Sequence, residues 1–64
     1  MFTLYYMHGR TVPGFASEDA ATLYWILEHP DGGVMTERGK RTLVGSHDAT
    51  LGWLDTGFVA KEAV

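Results

Sequence analysis

From Phe2 to Met7 apolar side chains occupy both parities, Phe2, Leu4 and Tyr6 on one side and Thr3, Tyr5 and Met7 on the other. This two-residue period is that of a strand, and a strand apolar on both faces belongs in the middle of a sheet. His8-Gly9-Arg10 supplies a turn, and Thr11 to Phe15 returns antiparallel; Pro13, which has no amide to donate, puts that returning strand on an edge. The period then changes. Between Ser17 and His29 the residues Ala20, Leu23, Tyr24 and Leu27 form one helical stripe roughly 100° wide, the width of a core-facing helix surface. Trp25 falls about 160° from the centre of that stripe and Ile26 points in a third direction, so the pattern predicts an indole that projects away from the chain's own sheet, to meet a partner or, as the alternative, to be buried with Trp53 or Phe58 under strands of the tail.

The helix ends are marked. Ser17 can accept from the free amides of the first turn, and Glu18 and Asp19 set negative charge beside the positive end of the macrodipole. His29, Pro30 and Asp31-Gly32-Gly33 stop the helix and turn the chain. Beyond them Val34-Met35-Thr36 and Thr42-Leu43-Val44 flank Glu37-Arg38-Gly39-Lys40-Arg41, which reads as a hairpin with a basic tip. Two readings of the tail stand side by side. Leu51 to Leu54 and Phe58 to Ala60 pair as a hairpin across Asp55-Thr56-Gly57, or Ser46 caps a short helix running to Leu54; Gly52, poor in a helix interior, favours the strands. The resulting expectation is an α+β fold, a single domain over residues 1–64 with a small antiparallel sheet of four to five short strands packed on one α-helix, ββα and then β-hairpins.

Composition narrows the function classes. A chain of 64 residues buries only about 60% of the surface its unfolded form exposes. Zero cysteines exclude disulfides and thiolate zinc sites, which leaves association with a partner as the remaining way to gain stability. The net charge of −3 argues against a continuous phosphate-binding surface, and the absence of Asn removes the usual bidentate reader of adenine. With no long apolar run and no secretory pattern after Met1, a cytoplasmic protein without a membrane partner is expected. Few lysines, a single isoleucine and abundant glycine and alanine suit a short reading frame of a phage or mobile element in a GC-rich host.

Candidate chemistry is sparse. Asp55-Thr56-Gly57, led by Trp53-Leu54, resembles the aspartic-protease signature, in which two such aspartates from a dimer would share a proton and activate water. Phe58 stands where that family has Ala or Ser and seven residues follow Gly57, so the segment reads as a turn. Gly39-Lys40-Arg41-Thr42 is similar to the end of a phosphate-binding P-loop, but Val34 occupies the first glycine position and Arg41 the Ser/Thr position. His8, His29 and His47 share no metal-ligand spacing, and Ser17 and Ser46 have no nucleophile context, so neither an enzyme nor a cofactor is expected.

Two surfaces remain. The first is a noncatalytic protein-interaction face, for a second copy of the chain or another protein, carried by Trp25, Ile26 and His29 with Tyr24 and Trp53 at its border. It would suit a phage accessory protein that binds or inhibits a host protein. The alternative is a small nucleic-acid-binding accessory protein contacting phosphate or an acidic partner through Arg38, Lys40 and Arg41, with Arg10 joining if the two hairpin turns share an edge.

Overall fold

The computed structural model describes residues 1–62. Strands β1 (Phe2–Tyr6) and β2 (Thr11–Phe15) form a hairpin, and helix α1 (Glu18–Glu28) follows. Strands β3 (Gly33–Glu37) and β4 (Lys40–Val44) form a second hairpin. A two-residue ladder joins β5 (His47–Asp48) to β6 (Gly52–Trp53), and β7 (Gly57–Lys61) ends the fold. The five longer strands make one antiparallel sheet in the order β2-β1-β7-β4-β3, with α1 packed on one face. The α+β arrangement expected from the residue pattern is the one observed.

Local chemistry explains most element boundaries. Ser17 has extended backbone and its hydroxyl accepts from Ala20 N at 3.0 Å, while Glu18 and Asp19 sit in the first turn. At the other end His29 donates its amide to Trp25 O at 2.9 Å and Gly32 donates to His29 O at 2.8 Å, which turns the chain into β3. The β3–β4 hairpin closes on Arg38 (φ 54°) and Gly39 (φ 78°), both left-handed, the geometry that matches strand twist in a two-residue hairpin. Arg38 is an unusual residue at a left-handed position, where Asn, Asp or Gly is the common choice.

The tail departs from the expected hairpin and also forms no helix. Leu51 to Leu54 does not pair with Phe58 to Ala60: Gly52 and Trp53 pair with Asp48 and His47, and β7 crosses to the middle of the sheet. There it runs antiparallel to β1 over five residues, from Phe2↔Lys61 to Tyr6↔Gly57. The reason lies in β1, whose two apolar faces and two free edges require a neighbour on each side. A local hairpin of the tail would leave the second edge of β1 open.

The larger correction concerns the face that α1 turns inward. Trp25 is fully buried, at 0% exposure, among Leu4, Tyr6, Ala21 and Leu43. Its Nε1 donates to Val44 O at 3.1 Å, its ring stacks on His29 at 4.1 Å between centroids, and Tyr6 lies tilted against it at 5.0 Å. Gly57 makes room for it, since a Cβ there would stand 2.9 Å from the Trp25 ring and 2.6 Å from Tyr5 O. Ala21 and Trp25 therefore form the inner stripe, and the aliphatic stripe Ala20, Leu23 and Leu27 points to solvent. Full burial of so large a side chain with its one donor satisfied outweighs burial of leucines that the narrow sheet cannot all cover.

Candidate functional site

With Trp25 inside, the five residues expected on the interface go to different places. His29 lines the core margin, its Nδ1 3.1 Å from Trp25 O and its Nε2 4.0 Å from the Asp55 carboxylate. Tyr24 packs edge-on against Phe15 with ring centroids 5.3 Å apart. Trp53 meets His47 edge-on at 4.8 Å over the small β5–β6 ladder. Of the five, Ile26 and Trp53 remain exposed, and they belong to separate elements. Trp25, His29 and Tyr24 hold the fold together instead.

What α1 does present is a crest. Leu23 is 57% and Leu27 73% exposed, with Ala20 beside them and Ile26 on the flank toward β4 and β3. At about 100° per residue Ala20, Leu23 and Leu27 lie within about 60° of one another, and no charged residue falls between them. The periodicity of these leucines alone predicts a core-facing stripe. The same periodicity, read against a buried tryptophan, marks them as surface.

The four basic residues also separate. Arg10 donates to the Glu28 carboxylate at 3.3 Å and to Tyr24 OH at 3.3 Å, with its guanidinium 5.0 Å above the Tyr6 ring. Tyr6 OH donates to the other Glu28 oxygen. That hydrogen bond, followed by Arg10, holds the Glu28 carboxyl below its ordinary range, and burial with the Glu28 contact pushes the Tyr6 phenol up. Arg41 turns to the helix side, 3.0 Å from Asp19 and 3.4 Å from Glu18, so it braces β4 against the helix N-terminus. Arg38 and Lys40 stay at the hairpin end without an ion pair among the described residues. Arg10 and Arg41 are thus committed to carboxylates, and the basic tip narrows to two residues.

The sheet face away from α1 is open. Register places Tyr5 of β1 beside Phe58 of β7, and their rings stack with centroids 5.0 Å apart and planes 15° from parallel. Strand β4 pairs with β7 through Leu43↔Gly57 alone, so the rest of β4 diverges. A concavity of about 440 Å³ results, lined by the aromatic pair together with Met7, Thr11, Lys40 and Thr42 among others. The sequence hinted at it, because both faces of β1 are apolar and only one can meet the helix.

Asp55-Thr56-Gly57 is a turn: Asp55 is left-handed at φ 53° and Thr56 O accepts from Met7 N at 2.8 Å. Asp48 accepts from the amides of Thr50 and Leu51 at 2.8 and 2.9 Å, which lowers its carboxyl pKa and shapes the β5–β6 loop. Among the described residues no group of three His, Cys, Asp or Glu side chains converges on a metal position, and no helix is long and apolar enough to cross a membrane. Searches against protein-family models, curated proteins and solved structures find no match to the chain.

Proposed function

We propose that this protein is a noncatalytic protein-interaction module that pairs with a second copy of itself through the outer crest of α1. The observation that carries the reading is the orientation of the helix, with Trp25 inside and Leu23 and Leu27 more than half exposed on a rigid, charge-free ridge. A two-fold antiparallel pairing sets Leu23 of one copy against Leu27 of the other, while Ala20 allows close approach of the backbones.

Energetics supports a partner. The described core holds six apolar residues, Leu4, Tyr6, Ala21, Trp25, Leu43 and Val44, which is little for a domain with no disulfide. A stable interface takes about 800 Å² from each partner, so the crest is its centre and Asp19, Tyr24 and Ile26 its rim. That setting suits an accessory protein of a phage or mobile element, an inference that rests on composition. Phosphate binding by a basic tip has less behind it, since Arg10 and Arg41 are held by Glu28, Glu18 and Asp19.

Sedimentation equilibrium from micromolar to millimolar protein tests the reading. The wild-type chain is expected to dimerise reversibly within that range, and Leu27→Glu to stay monomeric with an unchanged circular dichroism spectrum. A wild-type monomer at every concentration, or a dimer unaffected by Leu23→Glu and Leu27→Glu, overturns it.

A further inference from the structure

We infer that the open face of the sheet is a binding site for a nucleotide, a flat heteroaromatic ring carrying a phosphate, placed between Phe58 and the diverging end of β4. This site lies on the opposite layer from the helix crest and does not depend on dimerisation.

Three observations converge on that ligand chemistry. First, Tyr5 and Phe58 stand on the adjacent central strands β1 and β7 with nearly parallel rings. Tyr5 lies toward β1 and covers one face of Phe58, which leaves its other face toward β4; Phe58 is 49% exposed. Second, β4 leaves β7 just there, after Leu43↔Gly57, and opens the concavity into which Thr42 and Lys40 project from the far side. A flat ring inserted in this gap continues the Tyr5–Phe58 stack, the mode by which single aromatics on a rigid sheet take up unpaired bases. A volume of about 440 Å³ falls within the range of small-ligand sites.

Third, the charge of the lining is opposite to that of the chain. The net charge is −3, yet the concavity is lined by Lys40 and no carboxylate. Lys40 makes no ion pair among the described residues, although Glu37 is its cross-strand neighbour. The hydroxyls of Thr11 and Thr42 add donors around the same space. A neutral aromatic ligand would leave the ammonium unused, and a cationic one would meet it unfavourably. One phosphate next to one ring satisfies both halves of the site.

The test uses thymidine 5′-monophosphate and a six-residue oligothymidylate, titrated into the full chain by calorimetry with backbone amide shifts followed by NMR. Both are expected to bind and to shift the amides around Tyr5, Thr42 and Phe58. Phe58→Ala should weaken binding by about tenfold or more. Lys40→Ala should remove a salt dependence whose slope for the oligonucleotide is about −0.7, the value for one phosphate on a single strand. Should Phe58→Ala disturb the sheet, Phe58→Leu keeps the volume and removes the π-face. Leu27→Glu should bind as the wild type does. Much tighter binding of the oligonucleotide identifies a single strand as the natural source of the group, and equal affinity identifies the free nucleotide. No binding of either probe at millimolar concentration, or affinity retained in a folded Phe58→Leu variant, overturns the assignment.

Discussion

Trp25 joins the helix to strands β1, β4 and β7, and shortening it in two steps separates its contributions. Trp25→Phe removes the hydrogen bond to Val44 O and part of the ring that fills the clearing at Gly57. The lost hydrogen bond costs about 1 kcal/mol, and the unfilled space brings the sum to about 2–3 kcal/mol. Trp25→Ala also removes the contacts to Tyr6, His29 and Leu4, and aromatic truncations of this kind cost about 3–5 kcal/mol. A domain of this size is stable by roughly 3–5 kcal/mol. Urea titration followed by circular dichroism at fixed protein concentration should therefore find the Phe variant folded, with its midpoint lower by about 2–3 M if the slope is about 1 kcal/mol/M. The Ala variant should be unfolded without denaturant. An Ala variant with the wild-type midpoint would refute the claim that this ring organises the core.

Further outcomes follow from single contacts. Gly57→Ala drives a methyl group to 2.6 Å from Tyr5 O and 2.9 Å from the Trp25 ring, so it should cost about 1–3 kcal/mol by the same urea assay. Arg38→Asn relieves a left-handed arginine in the hairpin turn and should raise the thermal midpoint, with a gain below about 1 kcal/mol. The Tyr6–Glu28 pair bounds stability on both sides of neutrality. Glu28 is depressed in the folded state, so its contribution is present above the unfolded carboxylate value of about 4.3 and is lost as pH falls through the folded value. Tyr6 is raised, so its contribution is present below about 10 and is lost as pH rises beyond it. Tyr6→Phe should flatten the alkaline limb and weaken the acid limb in a pH series of thermal melts, because Glu28 then keeps Arg10 alone among its two side-chain donors.

The elements were legible in the sequence where one short stretch decides them. Ser17 with Glu18 and Asp19 marks the start of α1, Pro30 with Gly32 and Gly33 marks its end, and alternation finds β1 and β2. Which side of α1 faces inward was not legible from spacing, because two stripes compete. Ala20, Leu23 and Leu27 form an aliphatic stripe at steps of three and four, while Ala21, Trp25 and His29 repeat every four residues with a small residue, an indole and an imidazole. The choice depends on a distant glycine, Gly57, and a distant carbonyl, that of Val44. The path of the tail was hidden for a similar reason, since β7 is fixed by β1 from the far end of the chain. On the site, Ile26 and Trp53 are exposed on separate elements, and Arg10 and Arg41 found carboxylates that no local pattern announces. The Tyr5–Phe58 pair needed the β1–β7 register to be seen at all.

Acrylamide quenching of tryptophan emission in a Trp53→Phe background, followed by serial dilution to nanomolar protein, tests the orientation of α1 most directly. With Trp25 as the sole indole, emission should be blue-shifted and protected from quencher at every dilution, because the ring is enclosed by its own chain. Red-shifted emission that quenches freely in the dilute, folded protein would contradict the account and return Trp25 to the surface.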